Sequence, residues 1–225
     1  MTDDLLKETK PAFVIENKEL RALLIENYRI FSEIIKPLIA TVEALRESFP
    51  TEILNEIRAF NDHHVRSFTT SKTEEEAKGE LETAKRHLTR IILDCYKCLI
   101  ISRKEFIEQF EKKTKSIDLT IINNGQFYQE YGVKYREALR KTRKAKEEET
   151  VSKDERFNFY EEAFLAYEDL YDFIVDNLTN IKWARAKSYG KKFVGGLGWI
   201  IALILGAILT NNNREILNVI YNWLN

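Results

Sequence analysis

Apolar positions recur at helical spacing from 16 to about 49, through Leu20, Leu23, Leu24, Tyr28, Ile30, Phe31, Ile34, Ile35, Leu38, Val42 and Leu45, and this spacing predicts a helix. Pro37 lacks an amide hydrogen and crowds the carbonyl one turn back, so it kinks that helix or splits it in two. Pro50 and Thr51 mark a break and a fresh N-cap. Ile53, Ile57, Phe60, His64 and Phe68 then form one stripe of a second helix ending near Thr69. Thr73 and Glu76 have the spacing of a capping box, opening a long third helix with the seam Ala77, Leu81, Ala84, Leu88, Ile91, Cys95 and Leu99. A turn at Asn123, Asn124 and Gly125 follows a β-branched run at 117–122, which is either a helix end or an extended connector. A fourth helix is predicted from about Gln126 to Glu149. Ser152 and Glu155 form another capping box, and Phe157, Tyr160, Phe164, Tyr167, Leu170, Tyr171, Ile174, Leu178 and Ile181 run on as a stalk helix.

The pattern changes after Lys192. Residues 193–209 read FVGGLGWIIALILGAIL, seventeen positions without a charge, and five of the eight glycines fall between Gly190 and Gly206. Glycine is costly in a water-exposed helix and tolerated in lipid, so a membrane-spanning helix over 193–210 is expected, with Gly190 as the hinge if the stalk continues into it. Lys182, Arg185, Lys187, Lys191 and Lys192 precede the segment and only Arg214 follows it, which places the N-terminal part in the cytoplasm and the span in the inner (plasma) membrane. Gly198, Ala202 and Gly206 stand four apart and offer a small-residue stripe for association in lipid. Residues 211–225 put Ile216, Leu217, Val219, Ile220, Trp223 and Leu224 against an asparagine face, an amphipathic tail that lies in the interface or lines water in a ring. The expected layout is a cytoplasmic helical bundle with stalk at 1–181, a basic juxtamembrane segment at 182–192, the span, and the tail. MTDDLLKETK has no apolar core and predicts no secretory signal.

Composition agrees with an all-α chain: 3 prolines and 8 glycines in 225 residues are too few for a turn-rich sheet protein. Lysine and arginine number 35 against 36 acidic residues, which excludes a globally basic nucleic-acid binder and leaves electrostatics to local patches. The clearest patch is Arg136, Arg140, Lys141, Arg143 and Lys144, a candidate contact for RNA phosphates or lipid heads, or else a solvated face balanced by Glu147, Glu148 and Glu149. Cys95 and Cys98 lie three apart on a helix, unsuited to a disulfide framework, and point to a reducing compartment. No cofactor motif is present, and no metal site is expected, because His63 and His64 point about 100° apart on one helix.

Candidate chemistry gathers on the second and third helices. EIRAFNDHH places Arg58 five residues before His63 and six before His64. This spacing, on a helix of a bundle, resembles the HEPN-like helical proteins over roughly 16–178. The resemblance implies an up-and-down bundle that dimerises and cleaves RNA without a metal, Arg58 stabilising phosphate charge and His63 or His64 handling protons. Ala59 departs from the family, where a polar residue commonly follows the arginine. A second account needs no chemistry. Arg58 and Asp62 are an i, i+4 pair, and His87, Arg90 and Asp94 share a face of the third helix, so the two groups could form a polar network that fixes register.

A HEPN-like bundle joined to a membrane segment is similar to membrane accessory proteins of CRISPR and other antiviral systems. That implies a homo-oligomer whose bundle receives a signal, a nucleotide, an RNA or a partner protein of a defence system, and whose membrane helices perturb or gate the membrane. The alternatives are a membrane-tethered ribonuclease and a non-enzymatic scaffold.

Overall fold

The computed structural model describes residues 16–46, 48–69, 71, 73–151, 156–190, 198, 202 and 203, and among them the backbone is helical, with no strand. The elements are α1 (Lys18–Ile30), a π-helical turn (Phe31–Ile35), α2 (Lys36–Leu45), α3 (Thr51–Thr69), α4 (Glu74–Thr114), a 3₁₀ segment (Leu119–Gly125), α5 (Gln126–Val151) and α6 (Arg156–Asp176), with helical backbone again at 178–190. The chain divides into two compact units, one of Met1–Gln109 with Tyr131–Phe173 and the other of Phe110–Glu130 with Ile174–Asn225.

In the first unit, Pro37 neither stops the helix nor splits it. The turn before it widens to π geometry, and the Lys36 amide donates to the Phe31 carbonyl five residues back. A wide turn accommodates the missing proline donor while φ and ψ stay helical on both sides. Asn17 caps α1 by accepting from the Glu19 and Leu20 amides, and Thr73 Oγ1 accepts from the Glu76 amide at 3.2 Å to open α4. Thr51 is the first helical residue of α3 rather than its cap; the Leu54 amide donates to the Pro50 carbonyl.

The predicted seam of α4 is the core: Ala77, Leu81, Ala84, Leu88, Ile91, Cys95 and Leu99 are all buried. Its N-terminal part packs α1, with Leu20 against Ala77 and Leu81, and the buried Asn27 donates through Nδ2 to the Leu81 carbonyl at 3.0 Å. Further along, α6 runs beside α4, with Tyr96 near Phe164, Arg103 on Glu168 and Phe106 edge-on to Tyr171. α5 returns antiparallel to α6 through Lys134–Asp169 and Lys141–Glu162. With α1 and α2 counted as one continuous helix, α3, α4, α5 and α6 alternate in direction, as in an up-and-down bundle.

In the second unit the β-branched run becomes a 3₁₀ segment. Asp118 opens it by accepting from the Thr120 amide and hydroxyl, Ile122 is extended, and Asn123, Asn124 and Gly125 take φ of 46°, 52° and 89°. Left-handed backbone suits Asn and Gly and ends the segment before α5 begins. Ile122, Phe127, Ile174, Ile181 and Ala184 are buried, and the Asp118 amide donates to Ser188 Oγ. Leu178, expected in the stalk seam, is 41% exposed: Ile174, Ile181 and Ala184 are buried at spacings of seven and three, and the half-buried Asn177, not Leu178, holds the seam position between Ile174 and Ile181.

Candidate functional site

Two histidines from antiparallel helices meet at the α3–α4 contact. The His63 and His87 rings stack with centroids 5.1 Å apart and planes 19° from parallel. His63 Nδ1 lies 2.5 Å from a carboxylate oxygen of Glu80, and His87 Nδ1 lies 2.5 Å from one of Glu56. An ionised carboxylate only accepts, so each Nδ1 carries the hydrogen and donates it. Arg90 approaches the same Glu56 oxygen at 3.9 Å. Glu56 precedes His63 by seven residues and Glu80 precedes His87 by seven. On antiparallel neighbours this equal spacing makes the pairing reciprocal, each helix supplying the carboxylate for the other's imidazole. The carboxylates were not among the sequence candidates, and the matched seven-residue spacing is the signal that could have found them.

His64 plays a different part. It is 2% exposed, its ring packs 4.3 Å from the Phe60 ring and 4.8 Å from that of Tyr28, and Nδ1 donates to the Phe60 carbonyl at 3.2 Å. Burial holds its pKa below the usual histidine value, against the Phe60 hydrogen bond and with a smaller push from His63, so the neutral ring is favoured. Nε2 is buried without a hydrogen-bond partner among the described residues. Arg58 and Asp62 are exposed and form no ion pair among the described residues. The Arg58 spacing therefore leads to one histidine engaged with Glu80 and one sunk in an aromatic core. The network that exists joins His63, His87 and Arg90 to Glu56 and Glu80. Asp94, half-buried, has its carboxyl raised mainly by burial, partly offset by Lys97. Among the described residues no three His, Cys, Asp or Glu side chains are grouped to hold a metal ion.

On α5, Arg136, Arg140, Arg143 and Lys144 are exposed and Lys141 is half-buried, while Ala138, Thr142 and Ala145 turn to the core. Arg140 pairs with Glu137 at 2.7 Å, Lys141 reaches Glu162 at 3.9 Å, and Lys144 sits 4.6 Å over the Phe159 ring. Part of this charge is thus matched within the chain, the rest standing in solvent.

At the C-terminal end, Lys182, Trp183, Arg185, Lys187 and Tyr189 are exposed on the helical backbone of 178–190, with Lys187 Nζ 4.8 Å over the Trp183 ring. Gly198, Ala202 and Leu203 are helical and exposed. Gly206, most of the expected span at 193–210 and the tail at 211–225 lie outside the described residues, as does the Ser152–Glu155 capping box. Among the described residues no helix is long and apolar enough to cross a membrane. Comparison with known protein families, curated proteins and solved structures gives no match.

Proposed function

We propose that this chain is a membrane-anchored, self-associating helical protein whose cytoplasmic bundle controls how its C-terminal segment perturbs or gates the membrane. One observation carries the reading. The helix at 178–190 exposes three cations with a Trp and a Tyr, and Lys191 and Lys192 then lead into seventeen uncharged residues. Cations and amphipathic aromatics are the side chains favoured where a helix enters the headgroup layer, and Trp183 and Tyr189 are exposed among the described residues. Gly198 and Ala202, four apart and both exposed, are available to a second copy in lipid. A defence effector is the form we propose for this function, on the layout of a helical bundle joined to an apolar segment read from the sequence.

The engagement of His63 by Glu80 and the burial of His64 support a register-setting role for these residues over RNA cleavage. Dye release from liposomes tests the proposal: the full chain releases a trapped fluorophore in proportion to its oligomerisation, and the chain cut after Lys192 does not. Full insertion and oligomerisation without release under any condition would overturn gating and leave a scaffold.

A further inference from the structure

Within the first unit, α4, α5 and α6 line a half-open cavity of about 440 Å³, within the range of small-ligand pockets. Its wall combines apolar Ile100 and Ile101 with Lys97, Lys104, Lys146 and a single carboxylate, Glu149. That carboxylate is already committed. Lys97 Nζ donates to one of its oxygens at 2.5 Å, and the Tyr160 hydroxyl donates to the other at 2.5 Å. Thr142, also on the wall, gives its hydroxyl hydrogen to the Ala138 carbonyl at 2.8 Å and can only accept.

Two ammonium groups are left over. Among the described residues neither Lys104 nor Lys146 forms an ion pair, and Lys104 lies 5.7 Å over the Tyr167 ring, which supplies no charge. Burial and the neighbouring Lys146 both lower the Lys104 pKa, and Glu108, one turn along α4, offsets part of this. Two cations held beside one cavity, their repulsion only partly offset by Glu108, would both be relieved by an anion between them.

We propose that this cavity binds a small organic phosphate, its phosphate group between Lys104 and Lys146 and its organic portion on Ile100 and Ile101. A phosphate monoester carries close to two negative charges at neutral pH, matching two ammonium groups, and lysine is a standard point-charge partner for it. The volume suits a ligand portion the size of a small molecule. The site stands whether or not the chain is anchored in a membrane, and it offers the bundle a place to receive a signal.

Calorimetric titration of the detergent-solubilised full chain with 1-naphthyl phosphate, 1-naphthol and inorganic phosphate tests it. The expected result is saturable one-to-one binding of 1-naphthyl phosphate, with 1-naphthol and inorganic phosphate each weaker. Lys104→Gln with Lys146→Gln should lower that affinity tenfold or more, while Arg140→Gln with Arg143→Gln, outside the cavity, leaves it unchanged. If the double lysine variant loses helicity, Lys146→Gln alone, at an exposed side chain, should still weaken binding several-fold. Adenosine monophosphate and dihexanoyl phosphatidic acid, titrated in parallel, distinguish a nucleotide from a lipid source, whichever competes better with 1-naphthyl phosphate. Absence of saturable binding by every phosphate probe, or equal binding by the lysine variants, overturns the assignment.

Discussion

His63 and His87 stack across the α3–α4 contact with their ring centroids 5.1 Å apart, each tied through Nδ1 to a glutamate on the opposite helix. The arrangement fixes the register of two antiparallel helices, because sliding one by a turn separates both pairs at once. Charge-assisted hydrogen bonds in partly buried positions stabilise by about 1–3 kcal/mol. Glu80→Gln and Glu56→Gln should each lower unfolding free energy by about 1 kcal/mol, and the double variant should lose less than the sum if the stack couples them. Urea denaturation of the four proteins measures this; strict additivity would show that the two pairs act independently.

His64 makes stability depend on pH. Its pKa in the folded chain lies below the usual histidine value, so the unfolded chain binds the extra proton first, and stability falls as pH drops below about 6.5. Asp94 acts in the opposite sense: its raised carboxyl favours the folded state as pH falls further. His64→Leu should therefore flatten the loss in melting temperature between pH 7.5 and 5.5 relative to the parent, while leaving the Asp94 contribution intact. An unchanged pH profile in His64→Leu would mean that His64 is not the titrating group.

The two cysteines should differ in reactivity. Burial pushes the Cys95 thiol up to about 12, and Cys98, half-buried, is raised as well. Both should resist alkylation by iodoacetamide at pH 7.5 in the native state, with Cys98 modified well before Cys95. Mass spectrometry of a labelling time course reads the order; faster modification of Cys95 would contradict its place in the core.

The seam through the last helical stretch can be tested by truncation of side chains. Ile174 is fully buried and Leu178 is 41% exposed. Ile174→Ala should cost about 3 kcal/mol, as large-to-small core changes do, and Leu178→Ala less than about 0.5 kcal/mol. Comparable losses from the two substitutions would restore Leu178 to the core.

That pair also shows where sequence reasoning stopped. Periodicity located the α4 seam residue by residue, because heptad-like spacing of Ala77, Leu81 and Leu88 is a property of one helix. It misplaced Leu178, because i+3 and i+4 from Ile174 are both helical neighbours and the apolar residue was taken, whereas the seam passes through the half-buried polar Asn177. Ala163 and Ala184 were passed over because alanine is an ordinary helix former on any face, and only the packed partner shows that it is inside. The glutamate partners of His63 and His87 were missed because the register between two helices is not written in either helix alone. Nothing in the sequence links Lys104 to Lys146; only the packing of α4 beside α5 brings them to one cavity.

The central claim is that the C-terminal segment holds this chain in a membrane. Extraction of membranes carrying the full chain, and of membranes from cells making the chain cut after Lys192, with alkaline carbonate tests it most directly. The account predicts that the full chain stays in the pellet and leaves it only with detergent, while the truncated chain is found in the supernatant. Release of the full chain by carbonate alone would contradict membrane anchoring.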